Sequence, residues 1–67
     1  MNIKTEFTEP ECAYFREQCN FSAEELAVFD LRVRTFSLVE IASKLNMSES
    51  TVDRRIRSIK RKIHKVL

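Results

Sequence analysis

The sequence predicts an all-α fold of four helices, and three observations support this class. At three places a Ser or Thr is followed three positions later by Glu, which is the capping box that opens many α-helices. Downstream of each box, apolar residues recur every three or four positions, as on one face of a helix. No stretch shows the pattern of a strand, and 67 residues are enough for one small domain.

Each predicted helix begins at a recognisable N-cap. The capping boxes pair Thr8 with Glu11, Ser22 with Glu25 and Ser37 with Glu40. Ser48 is the fourth N-cap, and the acids after it, Glu49 and Asp53, suit the positive end of a helix dipole. Pro10 fits a first turn because proline has no N–H to leave unpaired there. We therefore predict helices near 9–19, 23–34, 38–45 and 49–66, after an extended or disordered segment at 1–7.

One apolar face per helix defines the predicted core. Its members are Cys12, Phe15, Cys19, Leu26, Phe29, Val33, Leu38, Ile41, Ala42, Leu45, Val52, Ile56, Ile59 and Ile63. Each helix alone is too short or too one-sided to be stable in water, so we expect residues 8–67 to bury these faces together as one domain. The two cysteines would lie about 10 Å apart along the first helix, too far for a disulfide, and are predicted to be buried thiols.

Composition argues against catalysis and against a membrane partner. With one His and no Gly, the chain offers no nucleophile and base pair, no metal ligand set and no glycine loop for phosphate. We therefore expect no enzyme, no cofactor and no metal. There is no apolar run long enough to span a bilayer and no signal-peptide core, which predicts a cytoplasmic protein.

The charges are divided unevenly along the chain. Residues 1–47 carry five Lys or Arg against eight acids, a net −3, whereas residues 48–67 carry seven against two, a net +5. Such asymmetry indicates a localised anionic partner.

The last predicted helix combines an apolar stripe with a cationic one. Val52, Ile56, Ile59 and Ile63 share one face, and Ser50, Arg54, Arg57 and Arg61 fall on the opposite face. This arrangement is typical of a helix that is anchored on one side and meets phosphates and base edges on the other.

The third and fourth helices have the spacing of a helix-turn-helix. A short helix at 38–45 is followed by a three-residue break at 46–48 and then by the long helix. Ala42 is small where the two helices would cross, and Asn46 stands where the turn requires a left-handed residue.

Residues 21–63 resemble the helix-turn-helix of LuxR-type regulators and of sigma-factor region 4. The matching blocks are Phe21-Ser22-Ala23-Glu24-Glu25-Leu26, Glu40-Ile41-Ala42 with Leu45, Met47-Ser48-Glu49-Ser50-Thr51-Val52, Ile59 and Lys62-Ile63. The resemblance implies a cytoplasmic four-helix domain that binds double-stranded DNA in transcription. The family usually has a Gly between its first two helices, where this chain has Arg34-Thr35-Phe36.

Recognition helices present their first turns to base edges in the major groove, which makes Ser50, Asp53, Arg54 and Arg57 the base-facing candidates. Either arginine could make a bidentate contact with guanine. The alternative is that Asp53 and Arg57, four residues apart, only pair with each other on a solvated face.

Three further residues are candidates for contacts with phosphate. Thr51 matches a family position whose hydroxyl meets the backbone of DNA, and Ser37 lies at a helix start with free N–H groups. Both could instead serve as caps only. Arg61 continues the line of Arg54 and Arg57, although cations near a helix end also satisfy its dipole. Lys62 and Lys65 are interpreted as cations of this second kind.

A rival hypothesis is a protein-interaction module that contacts RNA polymerase or another protein through its acidic N-terminal helices. Its working residues would be Glu9, Glu11, Glu17, Glu24 and Glu25. Both roles coexist in sigma region 4. LuxR-type domains dimerise through a further helix, which this sequence does not show after Leu67, so the sequence leaves a homodimer open.

Overall fold

A computed structural model describes residues 8–67, which form four α-helices and, within that range, no strand. The helices are α1 (Glu9–Gln18), α2 (Ala23–Val33), α3 (Leu38–Leu45) and α4 (Glu49–Val66). The predicted all-α class is confirmed, and every helix begins at its predicted residue. The segment 1–7, predicted to be extended or disordered, lies outside the described residues.

All four predicted N-caps are formed. The Oγ of Ser22 accepts a hydrogen bond from the N–H of Glu25 at 3.2 Å, and the Glu25 carboxylate accepts one from the N–H of Ser22 at 2.9 Å. The same reciprocal pairs close the boxes that open α1 and α3. Ser48 Oγ accepts the N–H of Thr51 at 3.1 Å. A cap contributes about 1 kcal/mol, which matters in a domain this small.

One hydrophobic core lies between the helices, and α4 contacts all three others. The buried apolar residues are Cys12, Phe15, Cys19, Val28, Phe29, Ile41, Ala42, Val52, Ile56, Ile59 and Ile63. The whole apolar stripe of α4 is therefore buried, as predicted. Four predicted core residues, Leu26, Val33, Leu38 and Leu45, are only half-buried. None of the helices in the described range is both long and apolar enough to cross a bilayer.

The two cysteines are buried in this core and form no disulfide with each other. Burial is the main cause that raises the pKa of both thiols. A thiol with a raised pKa is a poor nucleophile, because the thiolate is the reactive form. Cys12 and Cys19 therefore act as small apolar side chains, which confirms the prediction.

Within residues 8–67, two residues adopt left-handed backbone angles, and both follow the ends of helices. Asn46 was predicted to do so; it has φ 54° and ψ 47°, and the N–H of Met47 donates to the Ala42 carbonyl at 2.9 Å. Thr35 was not predicted to be left-handed, yet its φ is 70°. A left-handed residue with a Cβ costs roughly 1–2 kcal/mol, and Thr is β-branched.

Several hydrogen bonds hold the backbone around Thr35, including one from its own hydroxyl to the carbonyl of Arg34 at 2.5 Å. Its N–H donates to the carbonyl of Arg32 at 3.0 Å, and the N–H of Phe36 donates to the carbonyl of Leu31 at 3.2 Å. The guanidinium of Arg32 also donates to the Phe36 carbonyl at 2.9 Å. These bonds explain how the chain leaves α2 without a glycine.

Candidate functional site

The face of α4 opposite the core is exposed and cationic. Its outermost side chains are Ser50, Arg54, Arg57 and Arg61, all of which are exposed. We call the last three the arginine ridge. At 1.5 Å per residue the ridge covers about 10 Å of the helix axis.

Arg54 and Arg57 differ in their surroundings. Arg54 makes only a long contact with the hydroxyl of Thr51, at 3.5 Å, and no salt bridge with any residue in the described range. Arg57 places Nη2 at 2.9 Å from Oδ2 of Asp53, and its side chain is 75% exposed. The pairing that the sequence left open is therefore formed. Both guanidinium groups nevertheless remain accessible to a ligand.

Two of the phosphate-facing candidates have hydroxyls that take part in helix caps. Thr51 is half-buried, with its hydroxyl 2.9 Å from that of Ser48. Ser37 is exposed; its Oγ accepts the N–H of Glu40 at 3.2 Å, and the Glu40 carboxylate accepts the N–H of Ser37 at 2.9 Å. Hydrogen bonds from the backbone and side chain of Ser37 lower the pKa of Glu40. The N–H of this helix start is therefore already bound by the Glu40 carboxylate. Contacts of Ser37 and Thr51 with phosphate stay predictions.

A second cationic edge of α4 faces the start of α2, and sequence reasoning missed it. Arg55 pairs with Glu24 at 3.2 Å between Nη2 and Oε1. The hydroxyl of Ser58 donates to Oε2 of Glu25, and the ammonium group of Lys62 pairs with Oε1 of Glu25. We call Ser22, Glu25, Ser58 and Lys62 the Glu25 network. Arg55, Ser58 and Lys62 follow i, i+3, i+7, so the spacing places them on one edge of α4, but it does not show what that edge contacts.

Glu25 is a buried charge with a complete set of partners. Its residue is 5% exposed. Burial alone would raise the pKa of this carboxyl, but hydrogen bonds from Lys62, the Ser22 backbone and Ser58 outweigh it and lower the pKa to about 2. Since buried charges persist only when they are paired and hydrogen-bonded, the Glu25 network fixes how α2 sits on α4.

The Glu25 network corrects two expectations from the sequence. Glu25 was placed on an acidic interaction surface, but it is buried and cannot contact a partner. Lys62 was interpreted as a cation that satisfies the end of the helix dipole, whereas its ammonium group pairs with Glu25 and donates to the Asn20 carbonyl at 2.7 Å. The acids still exposed on the N-terminal helices are Glu9, Glu11, Glu17 and Glu24.

Residues 8–67 contain no group of three His, Cys, Asp or Glu side chains that could hold a metal ion. His64 is exposed near the end of α4. A pocket of about 240 Å³ lies where α1 ends beside α4, but the Lys62 side chain in its wall is already paired with Glu25. Within residues 8–67, the exposed face of α4 is the surface whose accessible cations can act on an anionic ligand without first breaking a contact in the core.

Comparison of the chain with protein-family models, with curated proteins and with solved structures gives no match. Function is therefore inferred from the exposed side chains of α4 and from the helices that position them.

Proposed function

We propose that this chain is a sequence-specific double-stranded DNA-binding domain that inserts α4 into the major groove. It would act in transcription, as a small regulator or a sigma-like factor. The observation that carries the proposal is the arginine ridge, exposed on a continuous 18-residue helix whose opposite face is buried in the core. The major groove admits an α-helix, and arginine is the side chain that most often reads guanine there.

The residue roles follow from position on α4. Ser50, Asp53, Arg54 and Arg57 lie in its first turns, on the face or flank turned away from the core, and would meet base edges. Ser37, Thr51 and Arg61 would contact flanking phosphates. The resemblance to LuxR-type and sigma region 4 domains supports the same assignment. This function needs no cofactor and catalyses no reaction, and buried unpaired thiols suit a reducing cytoplasm.

Binding to duplex DNA should fall steeply with salt. If α4 and its neighbours neutralise about four phosphates, the affinity should drop about 100-fold between 50 and 200 mM salt, because each phosphate contact releases a counterion. Fluorescence anisotropy with a labelled random duplex measures this directly. A chain that binds no duplex even at the lowest salt is not a DNA-binding domain.

The rival function, contact with RNA polymerase or another protein, would now depend on the exposed acids of α1. Charge reversal at Glu9 and Glu17 is the suitable test, because Glu25→Lys would disrupt the core instead of the surface. A pull-down that survives loss of the arginine ridge but fails after those reversals would favour the rival.

Selection of duplexes from a random pool would also reveal a homodimer, since a dimer selects a palindrome.

A further inference from the structure

The salt bridge between Asp53 and Arg57 places a negative charge beside the arginine ridge. A carboxylate in this position repels phosphate, so it should weaken general binding to DNA. The pair also offers little stability, because its side chains are 45% and 75% exposed and surface ion pairs contribute little. Its presence on this face therefore calls for another role.

Local helix energetics do not explain Asp53 either. Glu49 is the acid in the first turn of α4, where the helix dipole favours a negative charge. Asp53 was also predicted to suit the dipole, but it lies one turn further on, where that effect has largely faded. Asp is also a poorer helix former than Glu in a helix interior.

The geometry of the pair leaves Arg57 free to bind. The two charged groups approach to 2.9 Å between Nη2 and Oδ2, and the guanidinium group has five N–H donors, so most of them stay available to a base. Holding one of its edges restricts the orientations that the long Arg57 side chain can adopt. A preorganised fork loses less entropy when it meets a base with two parallel acceptors.

We propose that Asp53 is a positioning residue for sequence discrimination: it holds the Arg57 guanidinium in the orientation that reads guanine and keeps this side chain from binding phosphates indiscriminately. The inference rests on the proposed function. It deepens that function by assigning specificity, and not affinity, to an acidic side chain.

The experiment compares two affinities of each variant at one salt concentration. One duplex is selected by the wild-type chain from a random pool, and the other is a scrambled duplex of the same length and composition. Asp53→Ala should lower the ratio of the two affinities about 10-fold, while affinity for the scrambled duplex should rise up to about 3-fold because a charge that repels phosphate is removed. Asp53→Glu, which can still pair with Arg57 four residues away, should recover most of the ratio.

Two controls separate positioning from general charge. Glu49→Ala removes another acid of α4. Glu49 forms no salt bridge within the described residues, so its loss should change both affinities by a similar factor. In an Arg57→Ala background, Asp53→Ala should no longer alter the ratio, because the side chain that it positions is gone.

The outcomes distinguish the two proposals. If the wild-type chain binds neither duplex, DNA binding itself fails and the role of Asp53 fails with it. If the wild-type chain discriminates but Asp53→Ala discriminates equally well, only the role of Asp53 is overturned. The role of Asp53 is also overturned, and DNA binding is not, if Asp53→Ala lowers the ratio of affinities equally in the Arg57→Ala background.

Discussion

Glu25→Gln is expected to lower the free energy of unfolding by about 3 kcal/mol at pH 7. The carboxyl has a pKa of about 2 in the folded chain against an ordinary value of 4.5, and each pKa unit corresponds to about 1.4 kcal/mol. Gln keeps the shape and the capping partner but removes the charge that Lys62 and Ser58 bind. A domain of this size is stable by only roughly 3–10 kcal/mol, so urea unfolding should register a large loss.

The same substitution predicts a pH dependence of stability. Because the folded pKa of Glu25 is depressed, its contribution is fully present above about pH 4.5 and is lost as the pH falls towards 2. The wild-type and Glu25→Gln chains should therefore converge in stability near pH 2. Glu24→Gln is the matched control: its carboxylate is 56% exposed, so it should cost less than about 1 kcal/mol. Equal losses from both variants would contradict the role of the buried network.

Arg54→Ala and Arg55→Ala should have very different effects on DNA binding, although they remove the same charge from adjacent positions. Arg54 lies on the arginine ridge with no salt bridge in the described range, whereas Arg55 points to α2 and pairs with Glu24. We expect Arg54→Ala to weaken binding to a selected duplex about 10- to 100-fold, the loss of one good base contact. Arg55→Ala should cost about 3-fold or less, through net charge alone.

Anisotropy titrations of both variants at one salt concentration make this comparison. Arg54→Ala combined with Arg57→Ala should lower the affinity for the selected duplex by 100-fold or more if the two contacts are independent. Circular dichroism melts show whether each variant is folded. This control matters most for Arg55→Ala, because that change breaks a contact between helices. If Arg55→Ala is the more damaging change in a folded chain, the face of α4 that meets DNA has been assigned wrongly.

The positions of the helices could be predicted because their signals are local. Each N-cap needs only a hydroxyl and, in three cases, a Glu three residues later. The stripe from Val52 to Ile63 gives the buried face of α4 without reference to any other helix. The left-handed turn at Asn46 was also readable, since Asn tolerates that geometry better than other residues with a side chain.

The roles of Arg55, Ser58 and Lys62 could not be predicted in the same way. They depend on which edge of α4 the start of α2 meets, and that is decided by packing between residues more than 30 positions apart. In the sequence, helical spacing puts Arg54 opposite the apolar stripe and Arg55 to one side of it, but it does not show what Arg55 contacts. Only the fold shows that Arg55 is paired with a neighbouring helix. Thr35 was missed because its left-handed angle is imposed by hydrogen bonds around it and not favoured by its own side chain.

The Glu25 network and the arginine ridge lie on different sides of the same helix, and this links stability to the proposed site. The buried stripe from Val52 to Ile63 sets the rotation of α4, and the pairing of Glu25 with Lys62 and Ser58 adds polar contacts that hold this rotation relative to α2. That rotation decides which arginines face outward. Loss of the network should therefore weaken DNA binding through the position of the ridge, even though none of its residues would touch DNA.

A titration of the isotopically labelled chain with a selected duplex, followed by amide chemical shifts, shows which face of the chain meets DNA. We expect the largest shifts in the exposed positions of α4 from Ser50 to Arg61, with smaller shifts at the start of α3. Amides of α1 should change little. Shifts concentrated on α1 and α2, or no shifts with any duplex at low salt, would contradict the claim that the exposed face of α4 binds DNA.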